Sequence, residues 1–290
     1  MQKLAKPNLV IGIDAGGTKI RGVLLKNNQI LKKAEAFHGV KTLSRKVFLN
    51  SLFTILNSLY APGVRRIGIG LPGVIQNNRV LNAGNVKILS QLDVKKLLEQ
   101  KYRVKVALDN DVKVALRAEA QRYKKHRSLF MLTLGTGIGG AWLYKGEMMR
   151  GGFGTAYELG QMIIDKKAGR FMGLEDFCAR KFFGKKGIKP LDSENKARAG
   201  NKFHQKLWYE FGENLGLALA NIINLIEPEI IIIGGGLSHA WPLFIKQTKK
   251  TISKLVLSHA AVRKTKVVKA KSIKWVGALG AALLAQSHTK

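Results

Sequence analysis

Three glycine-bearing turns, each entered from a run of apolar residues, are where this sequence can most readily build a site. The first is Asp14-Ala15-Gly16-Gly17-Thr18-Lys19, entered from Leu9-Val10-Ile11-Gly12-Ile13 and left through Ile20-Arg21-Gly22-Val23-Leu24-Leu25. A turn stripped of bulky side chains lets backbone N–H groups and the Thr18 hydroxyl face phosphate oxygens, and Asp14 can bind magnesium directly or through water. It joins two strands rather than a strand and a helix, so it is neither a Walker loop nor a dinucleotide fingerprint. Alone it reads equally well as a plain hairpin with an Asp at its strand end. A second strand-flanked turn, Gly135-Thr136-Gly137, can clamp nucleotide phosphates from the opposite side. The third feature, Gly234-Gly235-Gly236, follows Glu229-Ile230-Ile231-Ile232-Ile233 and removes Cβ atoms where a flat ring could approach the backbone, although glycine also marks tight strand-to-helix connections.

These turns need strands and helices to hold them. Leu9 to Leu25 reads as a β-hairpin, Ile30 to Phe37 as a third strand, and Leu43 to Tyr60 as a helix with Val47, Leu49, Leu52, Phe53, Leu56 and Leu59 near helical spacing. A strand over Arg66 to Gly70, a helix around Leu92 to Gln100, a strand over Val104 to Leu108 and a helix from Asn110-Asp111 to about Lys124 continue an α/β alternation. Residue type alone makes Asn110-Asp111 a helix N-cap. From Leu129 the strand, glycine turn and strand recur, ending at Tyr144. That repetition of chemistry points to two related half-domains. Beyond Glu158 we expect a strand at Met162 to Asp165, a helix from near Leu174, a basic loop at Lys185 to Pro190, and a helix from Phe203 to Ile226 stopped by Pro228. A buried strand through Ile233, a helix from Leu237 onward and a final helix over Trp275 to Gln286 complete the chain.

Composition limits the function classes. Two hundred and ninety residues, 46% hydrophobic and 23% charged, describe a globular chain able to fill two domains without disulfide or metal staples. The single cysteine, Cys178, allows neither an internal disulfide nor a multi-cysteine zinc site, which fits a reducing compartment. No apolar run reaches the roughly 18 residues of a membrane span, and Met1 to Asp14 makes a poor secretion signal, so a soluble cytoplasmic protein is expected. Fifty Lys and Arg against eighteen Asp and Glu give a formal charge of +32, with ten basic and no acidic residues between Lys246 and Lys274. Such charge supports at most nonspecific, salt-sensitive contact with nucleic acid, since neither a helix-turn-helix nor an RNA-stacking motif accompanies it.

Six ordered segments together resemble the ROK family (repressors, open reading frames and sugar kinases) of the hexokinase and actin superfamily. Ile11 to Lys19 is similar to its first phosphate motif, and Gly68-Ile69-Gly70-Leu71-Pro72-Gly73 to its Gly-x-Gly-x-Pro-Gly segment. Asn110-Asp111 matches the catalytic motif, and Leu134 to Gly140 the second phosphate motif. Arg150-Gly151 through Glu158-Leu159-Gly160 matches the signature near the sugar, and Glu229 to Gly236 the adenosine segment. The resemblance implies an α/β, two-lobed actin-like (ribonuclease H-like) fold with an interlobe active-site cleft. One lobe would span 1–111 plus 275–290, and the other 112–274. It also implies transfer of the γ-phosphoryl of ATP, with Mg2+, to the 6-hydroxyl of a glucose-like hexose by a kinase that works as a homodimer. Asp111 would be the general base. Asn110, Glu158, Gln161 and Glu175 would contact sugar hydroxyls, Gly73 would allow close approach, and Asn82 and Asn85 compete for one further contact. Gly16, Gly17, Thr18, Lys19, Gly135, Thr136 and Gly137 would hold phosphates, Asp14 the magnesium, and Gly234, Gly235 and Gly236 the adenosine.

Departures from the family pattern bear on the substrate. Gln161 stands where many members carry a His that serves both sugar and a structural zinc, and Met162 to Leu174 lacks the cysteines of the usual loop, so zinc is expected to be absent. Tyr157 replaces a small residue, and Lys113 the usual Asn two positions after the base. Aminohexose or fructose kinases and a polyphosphate-using hexokinase remain open. Outside catalysis, a sugar-responsive regulator is disfavoured because Asp14 lies too near Met1 for the DNA-binding domain of the family's repressors, and a nucleic-acid binder rests on charge alone.

Overall fold

A computed structural model describes residues 9–39, 44–76, 79–82, 86–90, 92–271 and 274–287. The chain divides into two compact units, one of Met1–Tyr123, Arg150–Ala156 and Ser272–Lys290, the other of Lys124–Met149 and Tyr157–Lys271.

In the first unit β1 (Leu9–Ala15), β2 (Lys19–Lys26) and β3 (Gln29–Phe37) precede α1 (Arg45–Leu59), β4 (Val64–Leu71), the hairpin strands β5 (Val74–Gln76) and β6 (Arg79–Asn82), α2 (Val94–Tyr102), β7 (Lys105–Asn110) and α3 (Asp111–Glu119). The sheet runs β3-β2-β1-β4-β7, antiparallel over its first three strands and parallel from β1 to β7. Asn27 and Asn28 take positive φ between β2 and β3, as a two-residue hairpin demands. Strand alternation puts Ile11 and Ile13 on the face covered by Phe48, Leu52, Ile55 and Leu56 of α1. Val10, Val23 and Leu25 on the other face meet Ala278, Ala282 and Ala285 of the C-terminal helix, Val276–Ser287.

That helix packs at backbone distance. A Cβ on Gly12 would lie 2.0 Å from the Ala278 carbonyl oxygen, one on Gly68 1.7 Å from that of Ala281, and one on Gly280 1.6 Å from that of Val114 in α3. The small residues of its sequence are therefore steric requirements.

The second unit contains β8 (Ser128–Leu134), β9 (Ile138–Tyr144), β10 (Glu147–Met149), the pair β11 (Ile163–Lys167) and β12 (Arg170–Gly173), α4 (Glu175–Cys178), α5 (Arg180–Gly184), α6 (Pro190–Arg198), α7 (Lys202–Ile226), β13 (Ile230–Gly234), α8 (Trp241–Leu255), α9 (His259–Lys264) and β14 (Lys266–Lys269). Its sheet, β10-β9-β8-β13-β14, repeats the strand order and directions of the first, as two related halves would. Phe183, Trp208, Phe211 and Phe244 fill the core beside Phe130 and Leu132.

Several expected elements differ in detail. The helix expected from near Leu174 is two short pieces broken at Ala179, whose backbone is extended. The one expected from Leu237 begins at Trp241 after a 3-10 turn over Gly236–Ala240, with Pro242 in its first turn, where no N–H is needed. The helix expected to reach Lys124 ends at Glu119 and tightens to 3-10 over Ala120–Arg122. Among the described residues no helix is long and apolar enough to cross a membrane.

Candidate functional site

In the first unit the turn between β1 and β2 is closed by the Gly16 N–H donating to the Lys19 carbonyl at 3.0 Å. Its other carbonyls are braced from below. The N–H groups of His38 and Gly39 donate to the Thr18 carbonyl, and His38 Nε2 lies 3.1 Å from the Gly16 carbonyl oxygen. Gly17 has no room for a side chain, since a Cβ would meet Val86 at 2.7 Å, while Thr18 is exposed at the tip. The Asp14 carboxylate sits against the first turn of the C-terminal helix, where a Cβ on Gly277 would come within 2.5 Å of Oδ2. Burial pushes the Asp14 carboxyl above the ordinary range, with Arg21 and Lys19 opposing the shift. Burial, with Arg21, in turn draws Lys19 below the usual lysine range.

The head of α3 carries the Asn110-Asp111 pair. Asn110 caps the helix, Oδ1 accepting from Val112 N at 2.9 Å and Lys113 N at 3.3 Å, while Nδ2 donates to the Gly73 carbonyl at 3.0 Å. Among the described residues Nδ2 makes this one hydrogen bond, and an amide nitrogen carries two hydrogens. Gly73 has φ +93°, a conformation that favours glycine. Asp111 is the first helical residue, half-buried, and its Oδ1 accepts from Val112 N. Asn82 ends β6 opposite Val74 and so lies near Gly73 along the hairpin; Asn85 lies outside the described residues.

In the second unit the Gly135 N–H donates to the Gly137 carbonyl at 3.0 Å, and the Gly135 carbonyl accepts from Arg180 N at 2.9 Å. Thr136 is exposed at the tip, as Thr18 is in the other turn. Glu175 opens α4 with Oε1 on the Ile138 N–H at 2.9 Å, so one of its oxygens serves this turn. Gly137 and Gly160 make room for that carboxylate, since a Cβ on either would meet Oε1 at 2.5 or 2.4 Å. Exposed Glu158 and Gln161 flank Gly160, joined by the Gln161 N–H donating to the Glu158 carbonyl, so all three expected sugar contacts of this unit lie on two touching turns. Tyr157 ahead of them takes φ +77°, rare for an aromatic residue, and packs edge-on to Phe130 and Trp142.

The Gly234-Gly235-Gly236 run lies directly on the second turn's approach strand. Gly235 has φ +83°, and a Cβ there would meet the Leu134 carbonyl oxygen at 2.3 Å, whereas Gly236 faces open space. Ser238 Oγ donates to the Gly235 carbonyl at 2.7 Å and fixes the bend. Among the described residues no group of three or more His, Cys, Asp or Glu side chains is placed to hold a metal ion. A single carboxylate beside a glycine-lined turn is a donor set that fits magnesium, which keeps most of its waters and takes phosphate oxygens when these are supplied.

His38 carried no motif in the sequence. Its role as a brace depends on a hydrogen bond across 22 residues that no local pattern encodes.

The sequence model of the ROK family matches residues 10–288. A glucokinase of Thermotoga maritima is 26% identical over 94% of this chain and 96% of its own. An N-acetyl-D-glucosamine kinase of Photobacterium profundum is 31% identical over 94% of this chain and 98% of its own. A ROK family glucokinase from Streptomyces griseus, solved with glucose and AMPPNP, superposes with a TM-score of 0.82 at 23% identity, covering 97% of this chain and 100% of the other. The α/β, actin-like fold is shared with that structure.

Proposed function

Because the chain belongs to the ROK family, we propose that it is a sugar kinase that transfers the γ-phosphoryl group of ATP to the 6-hydroxyl of a glucose-like hexose. The observation that carries this reading is Asp111 fixed at the head of α3, beside an Asn110 whose amide is tied to Gly73. In the reaction the hydroxyl oxygen bonds to the γ-phosphorus, the bond from that phosphorus to the β,γ-bridging oxygen breaks, ADP leaves, and the Asp111 carboxylate takes the hydroxyl proton. Phosphoryl transfer needs position and charge stabilisation more than covalent help, so an ordinary carboxylate within reach of the hydroxyl suffices.

Gly16, Gly17, Thr18 and Lys19 in the first unit and Gly135, Thr136 and Gly137 in the second offer backbone N–H groups, hydroxyls and one ammonium to phosphate oxygens. Gly234, Gly235 and Gly236 take the adenosine, Gly236 presenting a bare Cα. Magnesium, held by Asp14 with water and phosphate oxygens, would neutralise phosphate charge. Asn110, Glu158, Gln161 and Glu175 hold sugar hydroxyls, with Gly73 giving clearance and Asn82 or Asn85 a further contact. Zinc has no part in this reading. The protein would act in the cytoplasm, consistent with its one buried free thiol. The resemblance to the ROK family is what supports a homodimer, with α7 as the region through which it would form.

The test offers ATP with Mg2+, or polyphosphate, alongside glucose, mannose, fructose, glucosamine and N-acetylglucosamine. We expect fastest turnover with ATP and glucose. Folded protein inert with every pair would overturn the kinase reading, and sugar binding by calorimetry without turnover would mark a sugar-responsive binding protein instead.

A further inference from the structure

The segment Arg150–Ala156 belongs to the first unit although it is far in sequence from the rest of it. It has little of its own to hold it in place. Gly151 and Gly154 take positive φ, its internal bonds are Gly154 N to the Gly151 carbonyl at 3.3 Å and Ala156 N to the Arg150 carbonyl at 3.2 Å, and Phe153 is 82% exposed. Three side chains from three elements tie it down. Arg150 grips Asp109 of β7 with Nη1 on Oδ1 at 3.0 Å and Nη2 on Oδ2 at 2.6 Å. Lys113 Nζ, from α3, donates to the Gly154 carbonyl at 3.3 Å, and Gln76 Nε2, from β5, donates to the Phe153 carbonyl at 3.0 Å.

All three ties surround Asn110. Asp109 Oδ1 also accepts the Asn110 backbone N–H at 2.9 Å, the Lys113 N–H donates to Asn110 Oδ1, and Gln76 follows Gly73, which the Asn110 amide holds. Asp109 and Lys113 are buried, at 1% and 5% exposure, so neither can turn to solvent for a substitute partner without cost. A forked guanidinium on a buried carboxylate fixes direction as well as distance.

From this juxtaposition we propose that Lys113, Arg150 and Gln76 are positioning residues that clamp the Arg150–Ala156 strap beside Asn110-Asp111, so that the strap forms a wall of the sugar site whose placement Lys113 sets. The inference rests on the kinase reading for its consequence, while the clamp itself can be tested without turnover.

The experiment compares wild type, Lys113→Met, Lys113→Arg and Gln76→Ala by hydrogen exchange and by steady-state kinetics. Exchange of the Gly154 and Ala156 amides, which donate the strap's internal hydrogen bonds, should quicken several-fold in Lys113→Met and Gln76→Ala, with that of the Gly135 amide unchanged. The hexose KM should rise about tenfold in both, given the sensitivity of bound geometry to small displacements. The ATP KM should stay within about twofold, and Lys113→Arg, which keeps a donor, should recover part of the loss. Should Lys113→Met fail to fold, Gln76→Ala, at a half-buried position at the end of β5, decides. Unchanged strap exchange in a folded variant overturns the clamp whether or not the protein turns over sugar, and quickened exchange with an unmoved hexose KM overturns its part in the sugar site. Inert wild type would defeat the kinase reading and leave the exchange result to decide the clamp.

Discussion

The carboxylate of Glu175 accepts the backbone N–H of Ile138 at 2.9 Å, tying the first residue of α4 to the strand that leaves the second glycine turn. Ile138 is buried, so its N–H has no ready access to water once that partner is removed. Glu175→Ala should therefore destabilise the protein by about 1–3 kcal/mol, and Glu175→Gln, which keeps an acceptor, by less than about 1 kcal/mol. Urea unfolding of the two variants checks this, and equal midpoints for Ala and wild type would contradict it.

Asp14 should show a conflict between stability and activity. Its carboxyl is raised above the ordinary range by burial, against the pull of Arg21 and Lys19. A folded-state pKa above the unfolded one means that the folded chain binds the proton more tightly, so stability falls as pH rises between the two values and the charge remains a cost above them. Asp14→Asn should raise the melting temperature of the ligand-free protein near pH 7 while lowering Mg2+-dependent turnover by roughly 100-fold, if Asp14 is the metal-binding carboxylate we propose. A lower melting temperature at that pH would count against this account of the site.

Asp176 behaves in the opposite sense. Hydrogen bonds from Lys181 and Lys185, at 2.8 and 2.7 Å, bring its carboxyl down to about 2, and its Oδ2 also accepts the Gly173 N–H. A depressed folded-state pKa contributes stability above the unfolded value, near 3.9, that is lost as pH falls toward the folded one. Melting curves between about pH 5 and pH 2 should fall less steeply for Asp176→Asn than for wild type. Parallel curves would show that the two lysines are screened by solvent.

The C-terminal helix offers a steric prediction. A Cβ on Gly280 would lie 1.6 Å from the Val114 carbonyl oxygen, a distance that only backbone movement can relieve. Gly280→Ala should cost about 3 kcal/mol and displace α3, and with it Asp111. By contrast Gly152→Ala, with nothing within 4 Å, should leave the melting temperature unchanged. Thermal unfolding of the pair is the check.

The long elements were legible because their periodicity is strong. The hairpin into Leu25, the helix from Phe203 and the strand through Ile233 all stand where apolar spacing put them, and the matching glycine turns anticipated the repeated sheet. The three-residue and four-residue strands of the Val74–Asn82 hairpin were missed, since strands so short carry no alternation to read. So was α6, whose mostly polar Pro190–Arg198 run carries a weak apolar face. Motifs offered residue types for a candidate site but not its supports. Arg150 meets Asp109 across 41 residues and His38 meets Gly16 across 22, pairings that exist only once the sheet is formed.

Asp111 carries the central claim, and the most direct measurement is the rate of phosphoryl transfer by Asp111→Ala, with hexose affinity followed by calorimetry and fold by circular dichroism. The account predicts intact fold, hexose affinity within a few-fold of wild type and a rate lower by roughly 100-fold to 10,000-fold, the span of general-base catalysis. A rate within a few-fold of wild type in a folded, sugar-binding variant would contradict it.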